Sequence, residues 1–150
     1  MAVTKAPPRD ERAAAPLVEC HYEDGQSAFD AHAGPTNDVH LVVRGRGTMA
    51  GVHAMLDFFA QAEKALGGES ARIYYDLTEV RGVPLRSQLL FGKWFLNHRK
   101  FVRRAAIVGA GAFERRLASA VCAIAGIRNF RFFDLAPEAR AWLFAEETPA

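Results

Sequence analysis

From Thr48 onward the apolar residues recur at helical spacing: Val52, Met55, Leu56, Phe59, Ala62 and Leu66 share one face, while His53, Asp57, Gln61 and Lys64 lie elsewhere. Thr48 is placed to cap this helix and Gly67-Gly68 to stop it. The pattern on either side is different. Leu17 to Glu23 and Gln26 to His32 flank Asp24-Gly25, a pair that tolerates positive φ, and read as a hairpin. After the break Gly34-Pro35-Thr36-Asn37, Asp38 to Arg44 reads as a central strand that Gly45 and Gly47 stop. Downstream, Ala71 to Leu77 is rich in β-formers, and Pro84 to Lys100 is a second helix that begins at a proline. Arg104 to Val108 reads as a buried strand, followed by a helix over Phe113 to Ala125 with Phe113, Leu117, Ala120, Val121 and Ile124 inward. Asn129 to Asp134 is the next strand and Pro137 to Glu146 the last helix. Strands alternating with helices imply parallel pairing with helical crossovers, here after an antiparallel start. The predicted architecture is a mixed α/β sheet of four to six strands covered by about four helices, with an N-terminal hairpin.

Residues 1 to 16 carry Ala, Pro and charge without periodicity and read as a disordered tail, leaving 17–150 as a single domain. A chain of 150 residues, half of them hydrophobic, buries enough surface to need neither disulfide nor metal. No apolar run is long enough to span a bilayer, and the N-terminus lacks the apolar region of an export signal, so a cytoplasmic location is expected. Cys20 and Cys122 then read as free, buried thiols. The net charge of +2 conceals polarity. Ala13 to Val43 holds five acids and no Lys or Arg, whereas Arg81 to Phe113 holds seven bases and no acid. Such a division bears on association rather than fold.

Three segments, in this order and at these intervals, resemble the SpoIIAA-like family. They are Ile73-Tyr74-Tyr75-Asp76-Leu77-Thr78, Ala105-Ala106-Ile107-Val108-Gly109, and Phe132-Phe133 followed by Ala139-Arg140-Ala141-Trp142-Leu143. The resemblance covers about Asp38 to Phe144. It implies the STAS fold of anti-sigma-factor antagonists, compared also with CRAL-TRIO lipid-binding domains. The function implied is that of a non-enzymatic, bacterial signalling domain that docks with other proteins. In some relatives a serine in a DSSGL-type loop is phosphorylated. Here those four D-S-S-G positions are held by Pro84, Leu85, Arg86 and Ser87, so the serine falls where the glycine belongs. Ser87, near a helix start where a phosphate is tolerated, is the candidate phosphorylation site; its plain reading is a first-turn polar residue.

Enzyme chemistry finds little support in the residues. Gly109-Ala110-Gly111 after a strand imitates a dinucleotide fingerprint, but Glu114 takes the third glycine's place and would repel a pyrophosphate. No cofactor is expected. The five histidines show no helical H-x-x-x-H pair, neither cysteine has a cysteine neighbour, and no serine sits in a nucleophile elbow. No metal and no catalytic residue are therefore assigned. Asp76, at a strand end, is expected to cap the following turn, and His98 with Arg99 to complement a helix C-terminus.

The second helix carries an apolar surplus: Leu85, Leu89, Leu90, Phe91, Trp94, Phe95 and Leu96 occupy more than one face. Burial, a dimer or partner interface, and an apolar ligand cavity beneath the helix all account for it, because periodicity does not separate buried from exposed residues. The leading reading is a protein-interaction domain, with self-association included. The alternative is a carrier or sensor of an apolar or amphipathic, lipid-like molecule held by Phe91, Trp94 and Phe95 against Tyr74, with Arg99 or Lys100 for an acidic head. Tyr74, Asp76, Phe91, Trp94, Phe95, His98, Arg99 and Lys100 are the candidate partner- or ligand-binding residues. Nucleic acid is not an expected partner, since the basic run Asn97 to Arg104 has no recognised reader beside it.

Overall fold

The computed structural model describes residues 15–111, 115, 116, 118, 119 and 128–145. Within them β1 (Val18–Glu23) and β2 (Ser27–Gly34) form the predicted hairpin, followed by β3 (Asp38–Arg46), α1 (Met49–Ala65) and β4 (Ala71–Gly82). Then come α2 (Leu85–Asn97), β5 (Val102–Val108), β6 (Phe130–Phe133) and α3 (Ala136–Leu143). The strands form one six-stranded sheet in the order β1-β2-β3-β4-β5-β6. β1, β2 and β3 pair antiparallel, and β3 to β6 pair parallel, which is the mixed sheet expected from the alternating pattern. The predicted fourth helix, Phe113 to Ala125, lies largely outside the described residues; Arg115, Arg116, Ala118 and Ser119 are helical. The expected tail also falls outside them except for the exposed Ala15 and Pro16.

Local chemistry fixes the joints. Asp24 accepts the backbone N–H groups of Gln26 and Ser27 at 3.0 and 2.7 Å, closing the hairpin turn, and hydroxyl bonds from Tyr22 and Thr48 at 2.7 and 2.6 Å. Thr48 in turn caps α1 by accepting from the Gly51 N–H at 3.0 Å. Gly45 does not stop β3 as the sequence suggested. At φ +84 it carries the strand past Gln26, whose carbonyl oxygen would lie 2.2 Å from a Cβ at this position, and the extension pairs with β4 out to Gly82. Only glycine fits there.

Strand alternation divides the core. Phe29, Leu41, Ile73 and Ala105 face α1 and α2, where Phe58, Phe59 and Phe95 meet them. Tyr74, Ala106 and Val108 face the opposite way, under Ala139 and Leu143 of α3. Cys20 is half-buried rather than fully buried because it sits on the edge strand; burial pushes its thiol pKa up. Cys122 is outside the described residues.

Candidate functional site

α2 begins after Pro84, whose extended backbone forms the N-cap without a side-chain bond; Gln88 turns back to donate to the Val83 carbonyl at 2.9 Å. The helix is anchored through aromatic rings. Phe59 of α1 lies 4.8 Å from Trp94 and 6.0 Å from both Phe91 and Phe95, ring centre to ring centre, and Phe95 meets Phe130 edge-on at 4.9 Å. The C-terminus is tied down by His98, which stacks on Trp94 at 4.2 Å, bonds the Trp94 carbonyl through Nδ1 at 2.8 Å and lies 3.8 Å from Glu63 of α1. Arg99 donates to the Leu96 carbonyl at 2.9 Å, and Lys100 is exposed in the turn.

Several sequence expectations change on this geometry. Phe91, Trp94, Phe95 and His98 do come together, but as the packing that holds α2 on α1 and the sheet. Tyr74 is on the other face: it is 3% exposed, stacks on His40 at 4.7 Å and lies beneath the Arg140 guanidinium at 4.6 Å. The side chains of a strand alternate, so a residue next to Tyr75 could not share its face. Tyr75 takes the expected place instead, with its ring 5.6 Å from Phe91 and its hydroxyl donating to Met55 Sδ at 3.2 Å; burial pushes its phenol pKa up. Asp76 accepts from the Thr78 N–H at 2.9 Å and hydroxyl at 2.6 Å; it does not end the strand or cap a turn as expected, because β4 runs on to Gly82, and the bonds lie where the β3–β4 register shifts between Val42 and Arg44. Ser87 is 0% exposed, with its hydroxyl 3.4 Å from Met49 Sδ. Its position on the inner side of α2 removes it as an accessible phosphate acceptor.

Between α1, α2 and the sheet lies a cavity of about 150 Å³. Its inner wall is apolar, built from Val52, Met55, Tyr75, Phe91, Phe95 and Ile107. Trp94, Tyr74, Arg99 and Lys100 do not line it. Toward the surface it is bordered by Val80, Val83, Gln88 and Leu89. Leu77, Val80, Val83 and Ala110 are shared with a neighbouring recess of about 240 Å³ that is bounded by Arg81 and the glycines at 82, 109 and 111. Gly109 has φ +82, and a Cβ there would stand 2.7 Å from Thr78, so the chain leaves the end of β5 in close contact with β4 only because this residue has no side chain. The outer side of α2 carries Leu85 and Leu89, each 51% exposed, in line with Lys93. Sequence reasoning missed Tyr75, Val80 and Val83. The alternation in Ile73-Tyr74-Tyr75 carried the signal for the first.

The SpoIIAA-like family model matches residues 39–144. The chain belongs to the SpoIIAA-like family. Its structure is similar to the crystal structure of an uncharacterized DUF3478-family protein with a SpoIIAA-like fold from Shewanella loihica PV-4. The TM-score is 0.58 at 23% identity, over 83% of this chain and 95% of that one, a likeness of fold. Comparison with curated proteins gives no match. The SpoIIAA-like fold is in general that of a regulatory domain. Among the described residues no group of three or more His, Cys, Asp or Glu is arranged to hold a metal, and no helix is long and apolar enough to cross a membrane. What the site offers chemically is a mostly apolar cavity, open on one side, with basic side chains outside it.

Proposed function

We infer that this SpoIIAA-like domain is a non-enzymatic, cytoplasmic regulatory module that works by docking another protein, with α2 as the docking element. The carrying observation is the pair Leu85 and Leu89. They stand half-exposed one turn apart on a helix whose aromatic residues Phe91, Trp94 and Phe95 are packed inward. Clustered exposed leucines beside a cavity are the ordinary signature of an interaction surface. Membership of a family whose fold is regulatory agrees with it. Quantitative co-isolation from the source cells, wild type against a Leu85→Glu/Leu89→Glu variant, tests this reading. A protein retained by the first and depleted at least about tenfold with the second is expected, since interfacial anchors dominate binding energy. Identical co-isolated sets would refute it.

The cavity favours a second reading, a sensor of a small apolar molecule. At about 150 Å³ it matches a cavity that holds a single aromatic ring and is below the range of pockets for larger ligands. An acyl lipid is thus a poor fit, and a one-ring or short-chain compound a good one. Native mass spectrometry of the protein purified from its own cells tests this, a retained small-molecule mass supporting it and a bare chain refuting it.

A further inference from the structure

The cavity and the exposed leucines are one continuous feature, because Leu89 belongs to both. Asp24 bonds Ser27 and Thr48 at the end of the cavity near the hairpin, whereas beside the leucines the exposed charges are basic. Arg81 is exposed at the end of β4, Arg86 on the first turn of α2, and Lys93 one turn beyond Leu89. The chain has no acid from Arg81 to Phe113. Glu79, the nearest acid along β4, sits opposite Arg44 of β3. An apolar socket beside a short leucine stripe, flanked by three bases, describes the complement of its occupant.

We propose that this mouth receives an acidic amphipathic segment of a partner protein, which inserts one large apolar side chain into the cavity and sets its carboxylates against Arg81, Arg86 and Lys93. The proposal rests on the interaction-module reading and names the partner's chemistry. The volume of about 150 Å³ accommodates one aromatic side chain, as it does one free aromatic ring. Leu85 and Leu89, at i and i+4, supply the ridge that an amphipathic segment packs along. Charge complementarity at the rim sets partner choice and association rate, while the buried anchor sets the lifetime. A membrane surface is disfavoured. Two half-exposed leucines and three bases provide far less than the broad apolar face of an interfacial helix.

The test uses a synthetic acidic amphipathic helical peptide of about four turns with one central Phe, followed by NMR of the full chain. Saturable shifts at Val80, Val83 and Leu89 are expected. Replacing the peptide's Phe by Ala should weaken binding at least about tenfold, as for a buried anchor. Leu89→Glu should do the same, and so should Arg86→Glu, an exposed position that keeps the test valid if the first variant folds poorly. Equal binding of the Ala peptide, or of a peptide with Lys in place of Glu, would overturn the proposal. So would binding of phosphatidylglycerol vesicles, or of toluene, by a protein that ignores the peptide. If the peptide fails while co-isolation still depends on Leu85 and Leu89, the partner's chemistry is wrong and the interaction reading survives. If both fail, that reading falls as well.

Discussion

Lowering the pH from 7 to 5 should destabilise this domain through one histidine. His40 stands on the sheet face opposite α2, between His32 at 5.1 Å and Tyr74 at 4.7 Å, in a ring ladder that strand register builds across β2, β3 and β4. Burial, then the positive fields of His32 and Arg140, push its pKa down to about 4 from the ordinary 6.5, against the weaker opposing pull of Asp76 and Asp38. A histidine depressed in the folded state binds its proton more readily when unfolded. Its contribution is therefore complete above pH 6.5 and is lost as the pH falls toward 4. Integrating between these two values gives about 2 kcal/mol between pH 7 and pH 5; with screening at the ring's open edge, about 1 to 2 kcal/mol is expected. Asp24 and Asp30, both held below the usual carboxylate range by hydrogen bonds, lose their contributions only at lower pH. Urea unfolding at pH 7 and pH 5 measures the difference, and His40→Phe should abolish most of it. A wild-type stability unchanged over that range, or an undiminished slope in His40→Phe, would refute the reasoning.

Other consequences are independent of His40. Phe59→Ala, at the fully buried centre of the rings that hold α2, should cost about 3 to 5 kcal/mol in denaturant unfolding. Gly109→Ala should cost roughly 1 to 3 kcal/mol, because it forces a Cβ against Thr78 at positive φ; a neutral result would show that the β5 turn relaxes. Asp24→Ala should speed amide exchange at Gln26 and Ser27 and lower the melting midpoint, since it removes four hydrogen bonds from the hairpin and the start of α1. Leu85→Glu should leave the melting midpoint within about a degree or two, as substitutions at exposed positions do.

The alternation of strand and helix patterns was enough to place the six strands and the mixed sheet, because amphipathic periodicity is set by which face is buried. Side-chain roles were less legible. Tyr74 and Tyr75 are neighbours of one type, and only the alternation of Ile73 and Tyr75 with Tyr74 and Asp76 decides which faces α2. The apolar surplus of the second helix was visible, but its division into packed Phe91, Trp94 and Phe95 and exposed Leu85 and Leu89 depends on α1. Phe58 was hidden for a related reason: it lies beside Phe59 outside the chosen face, yet both are buried because α1 is covered on more than one side. Ser87 looked like a surface residue of a first turn, whereas the angle of α2 turns it toward Met49.

The docking role of α2 is tested most directly by a benzophenone amino acid placed at position 89 and photolysed in the source cells, with position 21 on the open sheet face as the control. A single protein adduct from position 89 that is absent at position 21, maps to an acidic amphipathic segment and disappears with Arg86→Glu is the predicted result. No adduct from position 89, or the same adducts from both positions, would contradict the account.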